Sequence, residues 1–332
     1  MLSIAMVGAG RIGRIHARNA AAHPAARLAG VTDPQPGAAE ALATSCRSRV
    51  LTLDEAFAAD AVIIGSPTPT HADFIERAAK AGKAIFCEKP IDLSADRVRA
   101  CLATVRQCGV PLMVGFNRRF DTHFGALKAR LDAGEIGELE LLTIISRDPA
   151  PPPIGYVSAS GGLFRDMMIH DLDMARFLLG LDRKPEGVEV TAAASCLVDQ
   201  AIGQAGDVDT AVVTLRTDSG RLVQVSNSRR ATYGYDQRIE AHGSKGLLRA
   251  GNVTATTLEV ANGHGFTSEP VLPFFLERYA AAYRAEMTAF IDAVTKKQPP
   301  SPGGEDGLAA LLLADAAEES LRSRHAVRVP AA

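Results

Sequence analysis

Over the N-terminal part of the chain, short apolar runs alternate with longer stretches whose apolar residues recur at helical spacing. The runs Ser3–Val7, Arg27–Thr32, Arg49–Leu51, Ala61–Gly65, Ala84–Cys87 and Pro111–Gly115 are almost continuously apolar, which predicts strands buried on both faces. Between them, Arg14–Ala22, Gly37–Thr44, Leu53–Ala59, Thr70–Ala81 and Ser94–Cys108 predict helices, with a Ser/Thr cap opening Thr70–Ala81. Six strands alternating with helices specify a doubly wound parallel sheet.

From Thr122 the pattern changes. Thr122–Ala133 predicts a helix and Leu139–Ser146 a strand. Pro149–Pro153 predicts a stiff rim loop. Val188–Cys196, Thr210–Arg216, Arg221–Asn227, Gln237–His242 and Gly246–Arg249 alternate in polarity and are parted by turns such as Asp218-Ser219-Gly220. This predicts an open, mostly antiparallel sheet with one face on helices and the other available to a second subunit. Helices over Arg278–Thr295 and Glu305–Arg322 close the chain. The expected architecture is α/β: a Rossmann-type domain over 1–120 and a second α/β domain over 121–332 for substrate binding and oligomerisation. The C-terminal helix is free to pack back on the first domain.

Composition narrows the function classes. The chain has 332 residues, 47% of them hydrophobic and 22% charged, and a net charge of −2, so neither disorder nor a basic footprint for nucleic acid or an anionic membrane is expected. Five scattered cysteines without a Cys-x-x-Cys suggest buried thiols in a reducing compartment, and no resident metal is expected. Without a leader-like start or a membrane-length apolar run, the expectation is a cytoplasmic protein.

The candidate chemistry falls in two places. Gly8-Ala9-Gly10-Arg11-Ile12-Gly13 stands between a predicted strand and a predicted helix, the context that gives G-x-G-x-x-G its meaning. Gly8 allows the tight turn, Gly10 the approach of a pyrophosphate and Gly13 close packing of helix on strand. Backbone N–H groups at the helix start, including Arg11 and Ile12, then bind phosphate. Asp33 ends the second strand near the position of a carboxylate for the adenosine ribose, which favours NAD over NADP, although Asp before Pro34 also suits a turn. Ligands of such sheets lie beyond the carboxyl ends of the strands, where Ser66, Pro67, Thr68, His71, Glu88, Lys89 and Asn117–Phe120 fall. The second place is Gly161–Asp173, a helix opening after two glycines, with Asp166 and His170 at i and i+4 and Asp173 near the same stripe.

Ile4–Gly13, Thr70-His71, Ala81–Pro90 and Gly115–Phe120 resemble the Gfo/Idh/MocA oxidoreductases, whose most specific short motif is the Glu-Lys-Pro at Glu88-Lys89-Pro90. The resemblance covers nearly the whole chain and implies NAD(P)-dependent hydride transfer on a sugar or polyol, with Lys89 as the catalytic-site amine and Asp166 and His170 matching the second-domain Asp-x-x-x-His. It adds Ser66, Pro67, Thr68, His71, Glu88 and Lys89 to the cofactor-binding set.

A closer likeness, to the inositol-oxidising members, rests on Asn117–Asp121, Ser146–Pro149, Asp166–Asp173, Tyr233–Asp236, Arg278-Tyr279, Tyr283 and Glu286. It implies oxidation of a cyclic polyol, with Asn117, Arg119, Asp148, Asp173, Tyr235 and Tyr283 pairing substrate hydroxyls, and a homo-oligomer, tetramer or dimer. Ser146-Arg147-Asp148-Pro149 departs from members that carry His and Asn there, which leaves the preferred isomer open.

Oxidising a secondary alcohol needs a base, and an imidazole, with an ordinary pKa of ~6.5, suits that task at neutral pH. His170 is the expected base, Asp166 its orienting partner or a hydroxyl acceptor, and Lys89 the donor to the reacting oxygen. Three alternatives stay open: an aldose or another sugar as substrate, an NAD-binding sensor without turnover, and a metal held by Asp166, His170 and Asp173.

Overall fold

The computed structural model describes residues 1–331, the side chain of Ser158 excepted. It divides into two compact units: Met1–Phe120 with Ala282–Leu311, and Asp121–Ala281 with the chain from Leu312 onward. No helix among the described residues is long and apolar enough to cross a membrane.

The first unit runs β1 (Leu2–Val7), α1 (Arg11–Ala22), β2 (Ala26–Thr32), α2 (Ala38–Ser45), α3 (Leu53–Ala56), β3 (Ala61–Ile64), α4 (His71–Lys80), β4 (Ala84–Cys87), α5 (Ala95–Cys108) and β5 (Leu112–Val114). Its sheet has five strands in the order β2-β1-β3-β4-β5, all pairs parallel. Ile4, Met6, Ile63 and Phe86 are wholly buried, as the continuous apolar runs require. The order reverses direction at β1, so the loop after β1 opens at the switch point where such sheets bind ligands.

Two expectations are corrected here. Arg49–Leu51 forms no strand: it makes one isolated parallel bridge, Val50 to Val31, in which Arg49 O accepts from Val31 N at 2.9 Å and Leu51 N donates to Val31 O at 2.8 Å. Thr70 does not cap α4 with its side chain. Its hydroxyl is turned to Pro67 O at 2.7 Å and Ser66 Oγ at 2.6 Å, holding a 3-10 turn over Thr68–Thr70. At the far edge of the sheet, Gly303 bridges Met113 and Pro302 O accepts from Val114 N at 3.0 Å, which covers the open side of β5. The helix Ala280–Thr295 contributes Met287, Phe290 and Ile291 to this core, with the Phe290 ring 5.7 Å from that of Phe86.

The second unit begins with α6 (Thr122–Asp132), β6 (Leu139–Arg147), α7 (Ile154–Ser160), α8 (Ile169–Leu179), β7 (Val188–Ser195), α9 (Gln200–Gln204), β8 (Thr210–Thr217), β9 (Leu222–Ser228), β10 (Asp236–Gly243) and β11 (Gly246–Ala250). The hairpin β12 (Glu259–Asn262) and β13 (Gly265–Ser268), then α10 (Phe275–Arg278), α11 (Ala280–Thr295), α12 (Gly304–Ser323) and β14 (Val327–Val329) complete the chain. The main sheet has seven strands in the order β11-β10-β6-β9-β8-β7-β14, antiparallel except for β6 with β9. Along β8, buried Ala211, Val213, Leu215 and Thr217 alternate with exposed Val212, Thr214 and Arg216, so one face is packed and the other open.

The expected single helix over Arg278–Thr295 is broken at Tyr279, whose φ of −110° and ψ of 15° end α10 before α11 begins. Arg278 is drawn aside into a buried ion pair with Asp121, the side chain that also caps α6 through His123 N and Phe124 N at 3.1 Å each. The proline-rich loop leads into α7, and α9, the β12–β13 hairpin and β14 are further elements that the apolar pattern does not announce. They are short, and the hairpin strands are exposed on both faces, so neither period is expressed.

Candidate active site

In the first unit the glycines carry the geometry. Gly8 holds φ +101°, and a Cβ there would stand 2.6 Å from Gly65 O and 2.7 Å from Ser66 N. A Cβ on Gly13 would collide with the Gly8 carbonyl oxygen, whereas one on Gly10 would meet nothing within 4 Å. The tight positions therefore pack the loop on the sheet, and the open one faces the space a ligand needs. Gly10 is also the N-cap of α1, with no side-chain acceptor on the first turn and no acidic residue in it, so the helix start is suited to an anion. Arg11 is exposed and Ile12 half-buried at the same point.

Asp33 is fixed at the end of β2, where Oδ2 accepts from Ala9 N at 2.7 Å and Oδ1 from Gln35 N at 2.8 Å. The carboxylate is thus tied to the glycine loop itself, and its remaining lone pairs can accept two ribose hydroxyls. Both ring nitrogens of His71 face backbone carbonyls, Nε2 of Ser66 O at 2.7 Å and Nδ1 of Pro90 O at 2.8 Å. The imidazole so joins the loop after β3, with Ser66, Pro67 and Thr68, to the loop after β4. Burial pushes its pKa down, against the two carbonyls that favour protonation.

Below Lys89 lies a buried polar group set of Glu88, Glu286 and His16, of which sequence reasoning missed His16. Glu88 Oε1 is 2.6 Å from Nε2 of fully buried His16 on α1, and Glu88 Oε2 accepts from Lys89 N at 3.2 Å. Glu286 is wholly buried with neither carboxyl oxygen hydrogen-bonded among the described residues. Burial first, and the charge of Glu88 second, push its pKa well up. The Tyr283 ring stands edge-on to His16 at 5.7 Å. Lys89 itself is half-buried. After β5, Asn117 is 2% exposed with Nδ2 unpartnered among the described residues, and Arg119 pairs with Asp306 at 3.0 Å.

In the second unit, the helix start is set by two glycines and a carboxylate. Gly161 ends α7 in the left-handed region, and a Cβ on Gly162, at φ +80°, would lie 2.7 Å from Asp207 Oδ1. That same oxygen accepts from Leu163 N at 3.0 Å. A π-helical turn, Phe164–Met168, precedes α8 and carries Asp166, so the i, i+4 relation to His170 is drawn on a widened turn. Such turns are rare and recur at functional sites. Asp166 is 13% exposed at its side chain; Tyr156 OH donates to its Oδ1 at 2.9 Å and Arg229 Nη1 lies 3.8 Å from its Oδ2.

His170 is half-buried, and Asp148, at the end of β6, is half-buried with its N–H on Ser228 O at 3.0 Å. Asp173 is 1% exposed. Its neighbour Asp171 is fully buried and accepts from Asn227 Nδ2 at 2.9 Å. Tyr235 is buried, edge-on to Tyr279 and Phe274 at 6.0 Å each. Among the described residues no cluster of three or more His, Cys, Asp or Glu is arranged for a metal ion.

Asp166 and His170 thus share one helical element, and Tyr156, Asp207 and Arg229 are the supporting residues that sequence reasoning did not find. The one signal in the sequence was the pair Arg229-Arg230 just past a strand rich in polar side chains.

A family model described as "Oxidoreductase family, NAD-binding Rossmann fold" matches residues 2–116, and one described as "GFO/IDH/MocA C-terminal domain" matches residues 124–249. The chain is 54% identical over 98% of its length, and 98% of the relative's, to the inositol 2-dehydrogenase of Rhizobium meliloti (strain 1021). The structure of a myo-inositol dehydrogenase from Corynebacterium glutamicum superposes with a TM-score of 0.94 at 47% identity, covering 100% of both chains. That of a scyllo-inositol dehydrogenase from Lactobacillus casei, with NAD(H) and scyllo-inositol bound, gives 0.89 at 30% identity over 99% of both.

Proposed function

The chain belongs to the Gfo/Idh/MocA family of NAD-binding oxidoreductases, and from that premise we propose that it oxidises myo-inositol with NAD, converting the C2 secondary alcohol to the ketone. The observation that carries this reading is that the likeness to inositol-oxidising enzymes runs the whole length of the chain. A Rossmann unit alone is shared by many activities, so it is the agreement over the substrate unit that supports this reading.

The geometry of each unit supports the following assignment of residue roles. NAD, when bound, supplies the hydride acceptor. Gly8, Gly10 and Gly13 shape its cradle, the N–H groups around Arg11 and Ile12 take its phosphates, and Asp33 accepts from its ribose hydroxyls. Ser66, Pro67, Thr68 and His71 form the adjoining wall, and Glu88 holds Lys89 by its backbone. In the proposed reaction His170 takes the hydroxyl proton, Asp166 sets the imidazole or a neighbouring hydroxyl, and the Lys89 ammonium stabilises the negative charge developing on oxygen.

Of the residues expected to pair further hydroxyls, half-buried Asp148 and the unpartnered Nδ2 of Asn117 are given that role. Arg119, Asp173, Tyr235 and Tyr283 are each at most 7% exposed and are assigned to shaping the site.

The test is a panel of initial NADH-formation rates on myo-, scyllo- and chiro-inositol, glucose and galactose. The proposal expects the highest kcat/KM on myo-inositol. A second reading, scyllo-inositol as preferred substrate, is favoured by the relative whose structure holds that isomer, and the same panel separates the two. Turnover of an aldose with every inositol inert would refute both.

A further inference from the structure

Arg229 is a buried cation beside Asp166. Its side chain is 1% exposed, with Nη1 3.8 Å from Asp166 Oδ2 and Nη2 3.6 Å from Asp207 Oδ2. Both separations exceed hydrogen-bond length, and Nε and Nη2 have no hydrogen-bond partner among the described residues. A guanidinium so enclosed cannot reach a ligand from solvent, and it acts through the carboxylates on either side of it.

Asp207 is anchored in turn. Its Oδ1 receives Leu163 N at 3.0 Å, at the first turn of the helix that continues to Asp166 and His170. The Arg229 backbone is held by Asp209 O, which accepts its N–H at 2.8 Å. The strand ends at Asp207–Asp209 and Arg229 therefore grip the helix start at two points, its backbone through Asp207 and its carboxylate through Arg229.

We infer that Arg229 is a positioning residue for Asp166, and that Arg229 and Asp207 together clasp the π-turn so that Asp166 keeps one orientation toward the imidazole and the substrate. This rests on the assignment of Asp166 to the oxidation reaction. Tyr156 OH fixes Asp166 Oδ1 and the Arg229 cation faces Oδ2, so the carboxylate is defined from both sides. A planar fork suits this two-sided task and a lysine ammonium does not. Displacing a reacting group by about an ångström can cost ~10²-fold, so loosening Asp166 is expected in kcat rather than in NAD binding.

The experiment compares Arg229→Gln, Arg229→Lys, Asp166→Asn and the double variant Arg229→Gln/Asp166→Asn, reading kcat and KM for myo-inositol and Kd for NAD. The expected result is a ~10–100-fold loss of kcat/KM in Arg229→Gln. Partial recovery is expected in Arg229→Lys, with Kd for NAD unchanged. The double variant is expected to be no worse than Asp166→Asn alone, because the two residues act on one function. Wild-type kcat/KM in Arg229→Gln, or full additivity with Asp166→Asn, would overturn the inference while leaving the reaction assignment standing. Wild-type activity in Asp166→Asn would instead overturn the assignment on which the inference rests. If Arg229→Gln does not fold, Asp207→Asn carries the test: a kcat loss with NAD binding intact supports the clasp, and unchanged kcat refutes it.

Discussion

Asp209, just before β8, is a fully buried carboxylate ringed by protein donors. Oδ2 accepts from Val198 N at 2.7 Å and Asp199 N at 3.0 Å, and Oδ1 from Leu197 N at 2.8 Å and Thr210 Oγ1 at 2.9 Å. Burial alone would raise its pKa, but the backbone donors Leu197, Asp199 and Val198 outweigh it and hold the group at about 2, below the ordinary 3.8. A folded pKa depressed in this way contributes stability above the unfolded value, lost as pH falls through the folded one. A fall from 3.8 to about 2 corresponds to about 2 kcal/mol, present above about pH 4 and gone near pH 2.

Asp209→Asn removes that contribution and replaces one accepting oxygen by an NH2, which leaves at least one of the three backbone N–H groups facing a donor, a pH-independent cost of ~1–3 kcal/mol more. The assay is urea denaturation of both proteins between about pH 2 and pH 7. The stability gap should be widest at neutral pH and narrow by about 2 kcal/mol on acidification. A gap that stays constant across the range would refute the reasoning. Because Asp209 O also holds Arg229 N, the variant should lose kcat on the polyol before it loses NAD binding.

Gly13→Ala places a methyl group against the Gly8 carbonyl; overpacking of ~1–3 kcal/mol predicts a ~5–150-fold rise in Kd for NAD by calorimetry, and an unchanged Kd would contradict the cradle. Asp33→Ser removes the charge that repels a 2′-phosphate, so the ratio of kcat/KM for NAD over NADP should fall at least ~10-fold; a ratio that does not move would take Asp33 out of cofactor choice. Glu286, raised above 4.5 by burial and then by Glu88, opposes folding increasingly as pH climbs past 4.5, by ~1.4 kcal/mol per unit until its folded pKa is reached. Glu286→Gln should therefore gain stability over the native chain on going from about pH 5.5 to pH 7.5, and parallel stability curves would argue against a protonated Glu286.

The parts legible in the sequence are those where local sterics or periodicity dictate the outcome. Gly8 and Gly13 could be read because backbone stands where their Cβ atoms would be, and the buried parallel strands because they are apolar on both faces. Arg49–Leu51 misled because so short a run does not say how far its pairing will extend, and here it stops at one bridge to Val31. Asp166 and His170 were visible as a pair, but the π-turn between them and the Tyr156, Asp207 and Arg229 shell were not. Those contacts join α7, the loop before β8 and the end of β9, and nothing local encodes such pairings. The same holds for His16 and Glu88, which only the folded sheet brings within 2.6 Å.

The most direct measurement of the central claim is the rate of NADH formation from myo-inositol by the native chain and by His170→Ala, each shown to bind NAD. The native chain should turn over, and the variant should lose ~10²–10⁴-fold in kcat, the usual worth of a positioned base. Equal rates in the two proteins, with NAD bound by both, would contradict the account.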